Sequence, residues 1–275
     1  MNILCLGASF TGRYLWRNFS DRHRVFFLSR RSRQLAEAGL PAFSPSQWRR
    51  LAAQNRLDAV LDTVPAIACS DSGEEIADPP YLREVEQVFG FNPSARLIHI
   101  SSTSVYPSHL KESDLPGLDE NTAARSPRLR PKRRLLLEQR WMREYPDLRL
   151  IRSAGIYGPG RCLALRFRQG DFRRAAEGNR IVSRIHVHDL GRLILALAEA
   201  GPQEPVPTLL HAVDESPLPN REVFEFLEEV LGIRIPGNWR QEPPRGRKII
   251  SLHAKRLLGG AYRYPSYRQG FAACL

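Results

Sequence analysis

Lysine is scarce in this sequence. Only four of its 41 basic residues are lysine, and the arginines run from Arg13 to Arg268 without forming a single stripe. A nucleic-acid-binding domain usually clusters its basic residues on one face. We therefore interpret the net charge of +12 as a compositional preference for arginine, with one local cluster at residues 128–134. Nucleic acid is not the partner we expect.

Long apolar runs are also missing. The longest, such as residues 193–198, are far shorter than the ~20 residues of a membrane-spanning helix. The first apolar segment begins at Ile3, which is not the pattern of a secretion signal. The cysteines show neither a Cys-x-x-Cys pair nor metal-ligand spacing: Cys5, Cys69, Cys162 and Cys274. These absences predict a cytoplasmic protein with reduced thiols, no membrane anchor and no bound metal.

What is present is an ordinary globular composition of 275 residues, 42% hydrophobic and 25% charged. Asn2–Leu6 is an apolar run, residues 7–12 carry glycines, residues 13–19 have helical spacing, and Arg24–Leu28 is a second β-rich run. Strand, turn, helix and strand in this order predict a βαβ unit, whose crossover implies a parallel sheet.

The same alternation continues along the chain. Further strands are predicted at residues 57–61, 97–100 and 148–154, with helices at 47–54, 81–88 and 132–145. We predict an α/β fold: a Rossmann-type doubly wound parallel sheet with a small mixed C-terminal substrate lobe.

The predicted Rossmann domain covers residues 1–165, with 181–200 returning to it, and the lobe covers 166–180 and 201–275. Two later helices are predicted within these limits. One covers residues 190–200 with Asp189 as its N-cap, and the other covers residues 221–231.

The turn after the first predicted strand matches G-x-G-x-x-G with serine in the middle: Gly7, Ser9, Phe10, Thr11 and Gly12 are its predicted cofactor-binding residues. In the dinucleotide fold the first glycine makes the tight turn, the second lets backbone approach the pyrophosphate, and the third lets helix pack on strand. Serine is the smallest replacement at the middle position. The pyrophosphate is expected at the free N–H groups of the following helix.

The end of the second strand selects the nucleotide. NAD enzymes place an acid there for the ribose 2′-hydroxyl, whereas NADP enzymes place an arginine near the 2′-phosphate. This segment carries Arg30 and Arg31 and no acid. NADP(H) is therefore favoured over NAD(H).

With these pieces in place, the chain resembles the extended short-chain dehydrogenase/reductase superfamily, in particular the NAD-dependent epimerase/dehydratase group. The similar segments follow the family's order: GASFTG at 7–12, IHISSTSVY at 98–106, RSAGIYGPG at 152–160, RIHVHDLGR at 184–192 and RYPSYRQGF at 263–271. The resemblance implies an NAD(P)-dependent oxidoreductase or epimerase in which Ser102, with Thr103 beside it, orients the substrate carbonyl or alcohol.

The chain departs from the family in its acid/base pair. The resemblance implies a Tyr-x-x-x-Lys, but none of the eight tyrosines has a lysine four residues later. Aligning from Pro127 puts Arg128 and Lys132 in the two slots, whereas aligning from Glu138 puts Arg130 and Arg134 there. Arginine stays protonated and cannot cycle a proton.

The basic cluster therefore has two open interpretations. It binds an anionic group beside the cofactor, with Lys132 as a cofactor-binding residue, or it is a solvated helix face. Because Pro131 suits a helix start, we place the helix start near Lys132.

Two other side chains are substrate-side candidates: Tyr157, in GIYGPG, and His186. His186 and His188 alternate on a predicted strand, but with Asp189 they make an incomplete metal set. His99 is expected to be a core histidine with a hydrogen-bond partner.

Two functions remain open. The first is an enzyme with a non-standard acid/base on an unknown small molecule, which could be phosphorylated or nucleotide-linked. The second is a catalytically inactive NADP(H)-binding sensor or scaffold.

Overall fold

A computed structural model describes residues 1–51, 56–64, 87–88, 90, 94–107, 110–111, 117–126, 128–201, 204–237 and 244–275. Most of the helix predicted at 81–88, the end of the one predicted at 47–54, and Cys69 lie outside the described residues.

The strands, in chain order, are β1 Asn2–Leu6, β2 Arg24–Leu28, β3 Ala42–Phe43, β4 Ala59–Asp62, β5 Arg96–Ser102, β6 Leu110–Lys111, β7 Arg149–Ser153, β8 Gly155–Tyr157, β9 Arg180–Val182, β10 Arg184–His186, β11 Leu209–Ala212, β12 Leu218–Pro219 and β13 Arg245–Gly246. The α-helices that we number are α1 Phe10–Phe19, α2 Ser32–Glu37, α3 Pro45–Leu51, α4 Leu129–Glu144, α5 Leu163–Arg168, α6 Val187–Glu199, α7 Asn220–Leu231, α8 Ala254–Leu257 and α9 Tyr267–Ala272.

The main sheet has seven strands in the order β11-β7-β5-β4-β1-β2-β3. β1 pairs in parallel with both β2 and β4, and β4 pairs in parallel with β5. The strands β3-β2-β1-β4-β5 follow the order of the dinucleotide-binding fold, in which the chain changes direction across the sheet between β1 and β4. The predicted Rossmann-type fold is confirmed. The strands are short apolar runs because helices cover both faces of such a sheet.

Two smaller sheets follow in the chain. β12, β9, β13 and β6 form a mixed four-stranded sheet, and β10 pairs in parallel with β8. Within the four-stranded sheet, β13 runs parallel to β9 and antiparallel to β6. The sequence predicted a small mixed C-terminal lobe, and this sheet confirms its mixed character, although its individual strands were not predicted.

The chain forms two compact units. The first comprises residues 1–101, 132–151 and 194–208, and the second comprises residues 102–131, 152–193 and 209–275. The predicted domain boundaries stay a prediction, since compact units and domains need not coincide. In the described parts of the chain, no helix has both the length and the apolar character needed to cross a membrane.

Two local predictions are wrong. α6 begins at Val187, so Asp189 lies inside its first turn and is not the N-cap. The Asp189 carboxylate instead accepts the backbone N–H groups of Arg263 and Tyr264, each at 2.8 Å. His188 also belongs to α6, so it does not alternate with His186 on a strand. Its backbone N–H donates to Nδ1 of His186 at 3.1 Å.

His99 is buried, as predicted, and its partner is now identified. Nδ1 of His99 lies 2.7 Å from Oδ2 of Asp62, which is also buried and lies opposite it on the neighbouring strand. The pair satisfies a carboxylate in the core of the first unit.

Candidate functional site

One candidate site is the turn between β1 and α1, in the first unit. Gly7 adopts φ +75°, a left-handed conformation that favours glycine. Its N–H donates to the carbonyl of Leu28 at 2.9 Å, which ties the turn to the end of β2. The chain then enters α1 at Phe10, three residues before the predicted start at residue 13.

Ser9 explains the earlier helix start. Its backbone is extended and its hydroxyl accepts the N–H of Gly12 at 3.1 Å, so it is the N-cap of α1. The serine that replaces the middle glycine therefore takes one of the N–H groups that otherwise face an anion at a helix start. Thr11, the neighbouring predicted cofactor-binding residue, is buried.

Gly12 is needed for packing. A Cβ at this position would lie 3.2 Å from Cε1 of Phe27 and 3.3 Å from Sγ of Cys5. Because α1 packs this closely on β1 and β2, the third glycine has the role that the dinucleotide fold gives it. The left-handed Gly7, the capped start of a ten-residue helix and the close approach at Gly12 fit a bound dinucleotide.

The predicted nucleotide-selecting residues follow β2. Arg30 and Arg31 are both exposed, and the N–H of Arg31 donates to the Ser29 hydroxyl at 3.1 Å. Leu28, which precedes them, is paired with Leu6 immediately before Gly7. The two arginines are thus close in the chain to the strand end that holds the turn. Lys132 lies exposed in the first turn of α4.

A separate candidate site is a cavity of about 530 Å³ in the second unit. Its size is typical of small-molecule sites. Six arginines line it: Arg161, Arg166, Arg174, Arg180, Arg184 and Arg247. Among the described lining residues one is acidic, Glu177. The remaining wall includes apolar side chains such as Ile156, Leu163 and Ile249.

Ser102 and Thr103 line this cavity together with Ser104. They lie at the end of β5, where the chain enters a short 3-10 turn, and the Ser102 hydroxyl accepts the N–H of Ser104 at 3.1 Å. That bond fixes the Ser102 oxygen and leaves its proton for a ligand acceptor.

Tyr157 and His186 differ in their access to the cavity. Tyr157 lines it, and its hydroxyl donates to the carbonyl of Ser266 at 3.3 Å. Burial raises the pKa of the Tyr157 phenol far above its usual range. His186 is buried edge-on against the Tyr157 ring, and its ring centroid lies 3.9 Å from that of Tyr264, with the two planes tilted by 39°. Burial lowers the pKa of His186 to about 4, so this imidazole is neutral at pH 7.

The residues of the basic cluster at 128–134 differ in their exposure to solvent. α4 begins at Leu129, which places Pro131 inside the first turn, where its missing N–H costs little. Lys132 is exposed and Arg133 is buried, and burial lowers the pKa of Arg134. Burial, together with the nearby cations Arg180 and Arg128, lowers the pKa of Arg247.

The sequence did not point to the cavity arginines. They come from separate segments between residues 161 and 247. The one sequence signal that could have predicted them is the high density of arginine around α5. Among the described residues, no three His, Cys, Asp or Glu side chains form a group that could hold a metal ion.

The chain is similar to solved structures along its whole length. A protein from Methylobacillus flagellatus that carries the name NAD-dependent epimerase/dehydratase is 26% identical with a TM-score of 0.76, and the match covers 99% of this chain and 97% of that one. The human epimerase family protein SDR39U1, solved with NADPH, is 18% identical with a TM-score of 0.69 over 100% of this chain and 99% of that one.

A third similar structure is MoeE5 in complex with UDP-glucose and NAD. It is 19% identical with a TM-score of 0.67, over 100% of this chain and 97% of that one. No protein-family model and no curated protein matches the sequence.

Proposed function

We propose that this chain, an extended short-chain dehydrogenase/reductase-like protein of the epimerase/dehydratase type, binds NADP(H) and acts in the cytoplasm as an oxidoreductase or epimerase-like enzyme on a small molecule. The observation that carries the proposal is the turn after β1, where Gly7 at φ +75° leads into a capped helix packed through Gly12. The similar structures that contain NADPH or NAD support a nicotinamide cofactor.

The first unit supplies the cofactor-binding groups. The backbone from Gly7 to Thr11 would hold the pyrophosphate at the start of α1, where the helix dipole favours an anion. Arg30 and Arg31 would bind the 2′-phosphate, and Lys132 would add a further cation. The nicotinamide, when bound, supplies the hydride donor or acceptor.

The second unit supplies the groups for the small molecule. Ser102 and Thr103 would donate hydrogen bonds to a ligand oxygen. Because the Tyr157 phenol keeps its proton at neutral pH, it can donate a hydrogen bond but is a poor base. We assign Tyr157 the donor role that the missing Tyr-x-x-x-Lys leaves open. In this structure its single hydroxyl proton is donated to the Ser266 carbonyl, so the hydroxyl would have to exchange that bond for one to the ligand.

A binding protein without turnover is the second candidate. The same raised pKa of Tyr157 favours it, because no lysine activates that phenol as the family's pair requires. Glu177, the acidic residue in the described lining, is held by Arg174 at 3.1 Å and Arg180 at 3.4 Å. Both guanidinium groups thus occupy the carboxylate that a ligand proton would need.

Calorimetric titration of the purified protein with NADPH and NADH tests the cofactor proposal. We expect NADPH to bind roughly tenfold more tightly, because charge-assisted hydrogen bonds to the 2′-phosphate are lost with NADH. Arg30→Ser and Arg31→Ser should reduce this preference, whereas Arg50→Ser, at an exposed site in α3, should not. Tighter NADH binding would overturn the roles of Arg30 and Arg31, and failure to bind either nucleotide would overturn the proposed function.

Turnover separates the two candidates. The enzyme should consume NADPH or reduce NADP in the presence of a small-molecule cell extract, and Tyr157→Phe should abolish this while leaving NADPH affinity intact. The Tyr145→Phe variant, changed at a tyrosine outside the cavity lining, is the matched control. Tight NADPH binding with no consumption in any extract fraction would favour the sensor or scaffold.

A further inference from the structure

Cys162 and Cys274 are neighbours in the second unit although they lie far apart in the sequence. Both belong to one apolar cluster, in which Cys162 is buried and Cys274 packs against the buried side chains. The Cys274 thiol is within hydrogen-bonding distance of the Cys162 sulfur, and its sulfur lies 3.1 Å from the carbonyl oxygen of Gly270. Both cysteines are free thiols in this structure. They are therefore placed as a pair that an oxidant could join.

The packing of α9 on Tyr157 builds this contact. A Cβ on Gly270, in α9, would collide with the Tyr157 hydroxyl, so a glycine is needed for the close approach. Phe271 packs on the Tyr157 ring at 5.1 Å between centroids. Cys162 follows Tyr157 closely in the chain and is the N-cap residue of α5, while Cys274 follows α9 in a turn. The two thiols meet because both segments are fixed to the same tyrosine.

The surroundings of Cys162 favour its thiolate. A hydrogen bond from the Cys274 thiol lowers the pKa of Cys162. Backbone N–H groups in α5 and the charge of Arg184 act in the same direction, whereas burial opposes them. The contact with Cys162, together with burial, raises the pKa of Cys274. Cys162 is therefore the thiol that ionises first, and Cys274 is its partner.

Cys162 is also accessible to a small oxidant. It lines the cavity of the second unit, together with Leu163 and Phe271, so a molecule of the size of hydrogen peroxide can reach its sulfur. Cys5, in contrast, is fully buried in β1, and burial raises its pKa to about 12. A thiol with a raised pKa and no access is inert toward oxidants.

We propose that Cys162 and Cys274 are a modification site at which hydrogen peroxide forms a disulfide between the start of α5 and the segment after α9. The Cys162 thiolate attacks one peroxide oxygen, the O–O bond breaks, and the leaving hydroxide takes the proton that Cys162 has lost, which leaves a sulfenic acid. The Cys274 sulfur then attacks the Cys162 sulfur, the S–O bond breaks, and hydroxide leaves as water with the Cys274 proton. Two thiols are oxidised, and one peroxide is reduced to two waters.

The disulfide joins two parts of the cavity wall. Cys162 and Leu163 line the cavity from the start of α5, and Phe271 lines it from α9. The bond therefore restrains these two segments relative to each other. In a reducing compartment, reversible disulfides of this kind serve redox sensing.

Treatment of the purified, reduced protein with a small excess of hydrogen peroxide tests the site. We expect mass spectrometry of proteolytic peptides to show a Cys162–Cys274 cross-link that dithiothreitol reverses, while Cys5 keeps its free thiol. Cys162→Ser and Cys274→Ser should each abolish the cross-link. Cys5→Ala, which removes a thiol from the first unit, is the matched control and should leave the cross-link unchanged.

The two serine variants also test the order of the steps. In Cys274→Ser, the serine keeps a hydrogen-bond donor for Cys162, and peroxide should leave a sulfenic acid there that a cyclic 1,3-diketone labels. In Cys162→Ser, the same probe should label Cys274 roughly tenfold more slowly, because burial still raises its pKa. Equal labelling in the two variants would overturn the role of Cys162 as the nucleophile.

Three mapping results contradict the proposal: Cys162 oxidised to the sulfinic acid while Cys274 stays a free thiol, Cys162 or Cys274 cross-linked to a different cysteine, or a cross-link that Cys5→Ala reduces as strongly as Cys162→Ser does. Because the mapping is done on the unmodified protein first, it decides the question even if a variant fails to fold.

Thermal denaturation of the unmodified protein before and after oxidation gives a further readout. The cross-link closes a long loop, so we expect the Tm to rise by about 5 °C or more. An unchanged or lower Tm would mean that the bond distorts the native contact, and the site would then not be built for it. Neither measurement uses NADPH or a substrate, so the outcome is independent of the proposed function.

Discussion

In the first unit the predicted cofactor residues are neighbours in the chain: Gly7 to Gly12 form one turn, and Arg30 and Arg31 follow the strand paired with β1. In the second unit the cavity arginines come from separate segments between residues 161 and 247. The first unit thus builds its candidate site from local sequence. The second builds its site by bringing distant segments together, through the register of β9 and β13.

The two units also differ in the partners of their buried carboxylates. In the first unit, the fully buried Asp62 is paired with His99 across adjacent strands. In the second, the fully buried Asp189 accepts two backbone N–H groups from the C-terminal segment and lies 3.1 Å from Nη1 of Arg192. Asp62 therefore joins strands within a sheet, whereas Asp189 ties a distant stretch of backbone to α6. The second unit depends more on single polar side chains.

The largest expected effect tests that dependence. Asp189→Ala would leave the N–H groups of Arg263 and Tyr264 and the Arg192 guanidinium without their carboxylate. Breaking a buried charged network of this kind costs about 3–5 kcal/mol of unfolding free energy. Chemical denaturation measures it, with Asp21→Ala, at an exposed carboxylate, as the control. A loss below that of the control would show that the C-terminal segment is held by its apolar contacts alone.

A smaller effect is expected from the glycine of the first unit. Gly12→Val adds atoms where a Cβ already lies 3.2 Å from the ring of Phe27, and such overpacking costs about 1–3 kcal/mol. Since the added atoms push α1 away from β1, NADPH binding should fall by more than roughly tenfold. Gly201→Val is the control, because its Cβ would have no neighbour closer than 4.0 Å. Unchanged NADPH affinity in Gly12→Val would show that the turn between β1 and α1 does not bind the cofactor.

The contrast between the units also explains what the sequence could predict. β1 and β2 have the predicted limits, because an apolar run bounded by turn residues is a local signal. The motif order predicted the family resemblance, and the similar structures confirm it. α1 begins three residues before its predicted start. The prediction treated Ser9 only as the smallest replacement for glycine, whereas its hydroxyl accepts the Gly12 N–H and caps the helix.

The errors that concern side-chain roles fall in the second unit. Asp189 precedes an apolar run, as an N-cap does, but its carboxylate is used by backbone 74 and 75 residues away. The arginines of the cavity were not predicted, because arginine is frequent along the whole chain and no single one stands out. Neither a long-range acceptor nor the convergence of separate cations leaves a pattern along the sequence, because both depend on how segments pack.

The smallest predicted effect concerns Asp214, a buried carboxyl near Arg184 in the second unit. Burial raises its pKa to about 7, above the unfolded value near 3.9. Folding therefore favours the protonated form, so this group's stabilisation is complete below about pH 4 and is lost as the pH rises through 7. Asp214→Asn keeps an oxygen for the Ser216 N–H, which Asp214 accepts at 3.0 Å, and cannot ionise.

Between pH 5 and pH 8 the unmodified protein should therefore lose on the order of 1 kcal/mol of unfolding free energy relative to Asp214→Asn. The comparison between variants is needed because His186, with its pKa lowered to about 4, contributes in the opposite direction: its stabilisation is lost as the pH falls from the unfolded value toward 4. Asp147→Asn makes the same change at an exposed carboxylate and should run parallel to the unmodified protein. If the unfolding free energy of Asp214→Asn also runs parallel to that of the unmodified protein between pH 5 and pH 8, Arg184 compensates the buried charge fully.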